Sequence, residues 1–322
     1  MSIYYYVPDN IKPSWGIGVI YHHVKALNES GQSAFVLHQK QGFILPWLEL
    51  KVPTKYRDAI SNYEISSSDS LVVPEVMAHE SFVLQCKARK ILFIQATGWI
   101  FEALPLHVTH KKLGFSSAMV IMPHMLPIVE KFIGLPSFLV PPMVADYFFN
   151  KPIPLHRKKT IVMYPKFNQI DFSIVNGLLR RKLGNNKIKK ALGVDWRIQL
   201  LEGLSHQEVS ATFDQATFFI SLNTFEALNT SVVEAMARGC IVFCYEGFGP
   251  KDFLLDNINA FVFGNNEPYA LVEKIYDILD QPDQYKSQLG TMRQHALETA
   301  NQYTYDKMKE SLANQIEFIV NE

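Results

Sequence analysis

Residues Phe225 to Gly239 read FEALNTSVVEAMARG and set two carboxylates, Glu226 and Glu234, with seven residues between them in a run that is otherwise mostly apolar or small. An unpaired carboxylate is costly to bury, so both need an explanation. One reading makes them the wet flank of a helix N-terminal region, with Glu226 just outside it and Glu234 on a partly solvated face. The other has them accept hydrogen bonds from hydroxyl groups of a ligand. Asn229 or Thr230 is the expected N-cap, which would aim the free amides of the first turn the same way. Glu234 falls about one turn further in, on the face of Thr230 and Ser231.

A second cluster lies near the start, in VPDNIKPSWGIGVIYHHV, where Gly16 and Gly18 enter the first expected helix. Bare amides and a helix dipole there suit a phosphate; a tight turn alone would also explain the glycines. As a dinucleotide fingerprint the stretch fails, because the third glycine position holds Tyr21 and no acidic residue ends SAFVLHQK. His22 and His23 are read as surface or interdomain residues. Three cysteines, Cys86, Cys240 and Cys244, give no disulfide framework. The last two bracket IVF and read as core rather than metal ligands.

The elements that must hold these residues alternate. Apolar runs at 3–7, 33–38, 70–74, 90–95, 118–122 and 137–141 read as buried strands, with helices expected at 17–29, 78–88 and 124–133. NKPIPLHRKK at 150–159, with two prolines and four basic residues, reads as a linker. Strands then resume at 160–165, 197–203, 217–222, 240–245 and 259–263, with helices at 169–183, 206–215, 229–238 and 267–280 and two or more in the tail. The pattern predicts two α/β domains in tandem, each with a mainly parallel sheet covered on both faces, and ligands at the carboxyl ends of the strands. The expected division is 1–149, 150–302, and a C-terminal helix at 303–322 that crosses back to the first domain.

At 322 residues, 48% hydrophobic and 19% charged, the chain is long enough for two cored domains. Lys+Arg 31 against Asp+Glu 31 speaks against a protein that wraps nucleic acid. MSIYYYVPDN has neither the basic nor the apolar part of a signal peptide. The most apolar region, AMVIMPHMLPIVEKFIGLPSFLVPPMV, is broken by five prolines and by charged residues, so no spanning helix is expected. The expected location is the cytoplasm, with contact at the inner face of a membrane left open. LRRKLGNNKIKK at 179–190 is read as a solvated basic face, with an anionic acceptor or lipid head group as its other reading.

One carboxylate at a helix mouth, amides beside it, and a second carboxylate a turn inside follow the order of parts in a nucleotide sugar: hexose hydroxyls, diphosphate, ribose hydroxyls. SLNTFEALNTSVVEAMARGCIVFCYEGFGPKDFLLDNINAFVF resembles the nucleotide-sugar site of the family-4 retaining glycosyltransferases. Its parts are Glu226, Glu234, Ala235 to Gly239, Gly247 to Asp252, and Asn259 to Val262. The resemblance covers most of the chain more weakly. It implies the GT-B fold, two Rossmann-like α/β domains facing one cleft. It also implies transfer of a hexosyl unit from a UDP- or GDP-linked sugar to a glycan or lipid-linked acceptor, with retention and without a cofactor or divalent metal. It gives Glu226 the sugar hydroxyls, Glu234 the ribose, and Lys166 with the amides of Gly16 and Gly18 the diphosphate. Glu226 and Lys166 are thus the expected catalytic groups. Gly203 and Leu204 border the base, and Ala227, Leu228, Asn229 and Thr230 complete the donor contacts. Gln95, Trp99 and His110 are the candidates for the sugar and acceptor side. The sequence departs from the family at Ala227 to Asn229, where Gly-Phe-Gly is frequent, and at Phe167, where a second basic residue is usual. A GT-B epimerase or phosphorylase, or a binding homologue without turnover, stays open as an alternative.

Overall fold

The computed structural model describes residues 1–60, 65–102, 104–150, 154–155, 159–166, 168–184 and 196–320. Two compact units divide the chain: Met1–Met143 with Tyr305–Glu322, and Val144–Thr304.

The first unit holds strands β1 (Ile3–Tyr6), β2 (Ala34–His38), β3 (Thr54–Tyr56), β4 (Ser70–Pro74), β5 (Arg89–Ile94), β6 (Phe115–Val120) and β7 (Ser137–Leu139). All pair in parallel, in the order β3-β2-β1-β4-β5-β6-β7. Helix α1 (Trp15–Glu29) connects β1 to β2, and α2 (Ser81–Gln85), α3 (Trp99–Glu102) and α4 (Met125–Ile128) follow later strands. Every residue of β1 and β4 is buried, the uniform burial of a sheet with both faces covered.

Three expectations are corrected here. β3 is a three-residue edge strand without an apolar run and left no signal. The helix expected at 78–88 shrinks to α2, because Glu80 is extended and its carboxylate is occupied by Tyr6 Oη at 2.7 Å and by Gln39. β6 starts at Phe115 rather than 118, since its two serines hide it from an apolar count.

The second unit holds β8 (Thr160–Met163), β9 (Arg197–Leu200), β10 (Ala216–Ser221), β11 (Ile241–Tyr245) and β12 (Phe261–Phe263), parallel throughout in the order β12-β11-β10-β8-β9. Its helices are α5 (Gln169–Gly184), α6 (His206–Gln215), α7 (Thr230–Ala237), α8 (Pro268–Asp280) and α9 (Pro282–Ala300). Aromatic rings step across the sheet in its core: Phe218 meets Phe243 edge-on at 5.3 Å, and Phe243 stacks on Phe261 at 4.9 Å. Cys240 and Cys244 are buried and form no disulfide, as core residues should. Most of the 150–159 segment, the 185–190 part of the basic stretch, and Phe167 lie outside the described residues.

The tail adds α10 (Tyr305–Asn314) and α11 (Ile316–Val320) to the first unit. There Lys309 Nζ lies 2.6 Å from Glu29 Oε2, and Met308, Leu312 and Ile319 are buried. Among the described residues, no helix is long and apolar enough to cross a membrane.

Both sheets are doubly wound, and each reverses direction once. In the first unit the reversal falls between β1 and β4, in the second between β8 and β10. Connections leave in opposite directions at such a point, which opens a crevice at the carboxyl ends of the strands.

Candidate functional site

At the second unit's reversal, the loop after β8 carries Lys166 and the loop after β10 carries Glu226. Lys166 Nζ stands 3.3 Å from Glu226 Oε1, with the two side chains 48% and 31% exposed. The sheet order brings together residues sixty positions apart. Burial pushes the Glu226 carboxyl above its ordinary range, and Lys166 pulls it back. Tyr164, just past β8, shows the same grouping. Its hydroxyl is raised by burial, lowered by Lys166, and raised again by the charges of Glu226 and Glu234.

Local chemistry shapes both loops. Asn223 Oδ1 accepts from the amide of Phe225 at 2.9 Å and from that of Glu226 at 3.4 Å, an Asx turn that aims Glu226. Gly249 is required by close approach, since a Cβ there would lie 1.5 Å from the carbonyl oxygen of Ala227. The loop after β11 therefore rests directly on the backbone of Ala227, whose side chain, like that of Leu228, is buried. On the β8 side, Asp171 is buried in the first turn of α5. It accepts from Tyr245 Oη at 2.7 Å and from Asn168 Nδ2 at 2.9 Å, tying the Lys166 loop to the end of β11.

Asn229 occupies the N-cap position of α7, but its side chain does not cap. It donates instead to Ser221 Oγ at 2.6 Å and accepts from Ser231 Oγ at 2.7 Å. The first-turn amides of Thr230 and Ser231, which have no partner within a helix, are thus not taken up by it. Glu234 is 4% exposed. Its Oε1 lies 2.7 Å from His206 Nε2, and His206 Nδ1 lies 2.6 Å from Tyr147 Oη. Gly203 has φ +66°, left-handed backbone that suits glycine, and with Leu204 forms the turn after β9. Next, Ser205 and Glu208 form a reciprocal capping box that starts α6.

Residues 177–294 match the family model of glycosyl transferases group 1. Over that stretch the chain is similar to the group 1 glycosyl transferases. An alpha-1,6-glucosyltransferase of Actinobacillus pleuropneumoniae serotype 7 (strain AP76) is 25% identical over 286 residues, 80% of this chain and 77% of that protein. Among solved structures, a glycosyltransferase from Rickettsia africae ESF-5 superposes with a TM-score of 0.71 at 12% identity, covering 100% of this chain and 99% of that one. The Anabaena protein HepE in complex with UDP gives 0.69 at 11% identity, covering 99% and 100%. At such identities the structures speak for the fold, which is GT-B.

In the first unit, Ser14 is the N-cap of α1, and its carbonyl accepts from the amides of Ile17 and Gly18. Those two amides are therefore engaged. Gly16, one turn position earlier, has no intrahelical acceptor for its own. Gln95, at the carboxyl end of β5, donates from Nε2 to Gly16 O at 3.0 Å, and a Cβ at Gly16 would meet Gln95 Oε1 at 2.1 Å. Behind them the buried Glu75, at the first unit's reversal, accepts from the amides of Gln95 at 3.2 Å and Ala96 at 2.9 Å. Burial pushes its carboxyl up to about 7. Trp99 and Phe101 are both exposed rather than core.

His110 is not brought to this group. The amide of Phe115 donates to His110 O, so His110 sits at the amino end of β6, about 16 Å of strand away from the carboxyl ends. It is buried against Phe115, and burial lowers its imidazole to about 4. His23 corrects another expectation. It is fully buried between Tyr5 and Phe93, and burial holds it down to about 3.

Several site residues were not singled out by sequence reasoning: Tyr147, Tyr164, Asp171, His206, Asn223 and Gly249. Only Asn223 had a local signal, a turn-forming residue three before Glu226. The others reach the candidate site by packing across the sheet.

Proposed function

We propose that this glycosyltransferase moves a hexosyl unit from a nucleoside-diphosphate sugar, UDP- or GDP-linked, to a glycan or lipid-linked acceptor, with retention and without a divalent metal. The observation that carries the reading is the Lys166–Glu226 pair across the sheet reversal, with Glu234 buried one helical turn along α7. Each carboxylate holds one protein partner, and donor hydroxyls add to these: Glu226 accepts from the sugar and Glu234 from the ribose. Lys166 and the first-turn amides of α7 face the diphosphate, whose negative charge grows as the glycosidic bond breaks. Gly203 and Leu204 border the base. The backbone of Ala227 to Thr230 lines the donor, held in place by Gly249. In the first unit, the turn at Gly16 is assigned to phosphate, with the Gly18 amide already held by Ser14 O, and Gln95 and Trp99 to the acceptor side. The UDP bound to HepE supports a uridine nucleotide.

The test is release of nucleoside diphosphate from UDP- and GDP-sugars with and without candidate glycan acceptors, with and without chelator, and the anomeric configuration of the product by NMR. Acceptor-dependent release of an α-linked product from an α-linked donor, unaffected by chelator, is the expected result. Release without acceptor favours an epimerase or hydrolytic reaction. A rate abolished by chelator and restored by magnesium or manganese rejects the metal-independent mechanism.

A further inference from the structure

The second unit surrounds Glu234 with groups that the proposed chemistry does not use. A buried carboxylate can only accept hydrogen bonds and must be given donors. Glu234 finds one in His206 Nε2 at 2.7 Å. His206 opens α6 inside the Ser205–Glu208 capping box, so its backbone is set by a turn closed by two hydrogen bonds. Its ring stands edge-on to Tyr147, with centroids 5.6 Å apart and planes at 82°, and lies 5.0 Å from the ring of Phe148. Both aromatics precede β8, so the imidazole is held by a segment remote in sequence from either carboxylate.

The proton assignment follows from the partners. The Glu234 carboxylate cannot donate, so Nε2 carries the hydrogen. In the neutral ring Nδ1 is then an acceptor, and Tyr147 Oη donates to it at 2.6 Å. Burial and the charge of Glu234 both keep the Tyr147 hydroxyl protonated and fit to donate.

We infer that His206 is a positioning residue for the nucleotide: it holds one oxygen of Glu234, so that the other is presented to the ribose, and Tyr147 fixes the tautomer that allows it. The same logic fixes ring orientation through the second nitrogen in metal-bound histidines; here the anchored partner is a carboxylate. The inference rests on the assignment of Glu234 to the ribose. Without His206 the carboxylate is free to change rotamer and is buried short of a donor, and its selectivity for a diol falls before the fold does.

Calorimetry on the full chain with UDP and GDP, and with their 2′-deoxy and 3′-deoxy counterparts, reads this directly. In the wild type the ribonucleotide binds about tenfold or more tighter than the deoxy forms, the size of a hydrogen bond to a charged group. His206→Ala brings that ratio down to within about threefold, and His206→Gln, whose amide N–H reaches as far as Nε2, restores it. Tyr147→Phe lowers the ratio and, by nitrogen NMR, mixes the two His206 tautomers, whereas the wild type shows the Nε2–H form alone. Because the readout is a ratio within one variant, a general loss of folded protein does not imitate it. A full ratio in His206→Ala, or an Nδ1–H tautomer in the wild type, overturns the inference alone. A wild type that binds neither nucleotide, or binds ribo and deoxy forms alike, overturns the ribose assignment and the inference with it.

Discussion

At the scale of single residues, the site is a matter of which charges have partners before the donor arrives. Lys166 and Glu226 are half-exposed and hold each other at 3.3 Å, so a donor's phosphate and hydroxyls would replace an existing contact. Glu234 is buried, and under the proposed assignment its loss would leave ribose hydroxyls unmatched. Glu234→Ala is expected to weaken nucleoside-diphosphate binding by about 1.5–3 kcal/mol, one hydrogen bond to a charged acceptor. Unchanged affinity in calorimetry would show that the ribose lies elsewhere. Lys166→Ala is expected to act differently, lowering kcat more than it weakens donor binding, because the charge it opposes grows toward the transition state. Equal losses in kcat/KM and in ground-state affinity, with kcat untouched, would reassign it to binding alone.

At the scale of elements, loops after parallel strands carry the candidate site, and what steadies each loop can be tested. Gly249→Ala sets a Cβ at 1.5 Å from Ala227 O, a clash with backbone that no rotamer relieves. It should displace the Glu226 loop, abolish turnover and lower the melting temperature together; turnover at the wild-type level would mean that the two loops part freely. In the first unit the corresponding support is Glu75, whose buried carboxyl titrates near 7. The folded-state value lies above the unfolded one, so ionising Glu75 opposes folding. The stability associated with it is present below the ordinary carboxylate range and is lost as pH rises through about 7. Glu75→Gln retains an oxygen for the Gln95 and Ala96 amides. It should raise the melting temperature at pH 8 and change it little at pH 5. A shift of equal size at both values would place the effect in packing rather than in charge.

At the scale of the whole molecule, the chain builds most of one unit, then the second, and finishes the first with its last two helices. Those helices cover α1 through Lys309 and Tyr305 on Glu29, and bury Met308, Leu312 and Ile319. Three fully buried apolar side chains correspond to about 5–9 kcal/mol, comparable with the whole stability of a domain. Ending the chain at Thr304 is therefore expected to unfold the first unit while the second keeps its sheet. Hydrogen exchange would show amides of β1, β2 and β4 losing protection and those of β8, β10 and β11 retaining it. Protection lost evenly in both would mean that the units do not fold separately.

What the sequence determined by itself was whatever depends on short range. Apolar runs announced strands, and eleven of those in the described residues were found in this way, although β9 at the sheet edge alternates in exposure. Helix α6 at His206–Gln215 was legible to the residue because Ser205 and Glu208 write its start in one turn. The Glu226–Glu234 spacing was visible because both carboxylates sit on one loop and the helix it enters. Tertiary structure alone decided which residues complete the site. Lys166 and Glu226 meet because β8 and β10 are neighbours, although β9 lies between them in the chain. Tyr147, His206 and Glu234 form one hydrogen-bonded line from three separate segments. The same distance effect removed a candidate: His110 follows β5 closely in sequence, yet it belongs to the start of β6 and so to the far end of the sheet. Periodicity records what each segment buries, whereas strand order records which segments become neighbours, and only the second brings a cation to Glu226 and an imidazole to Glu234.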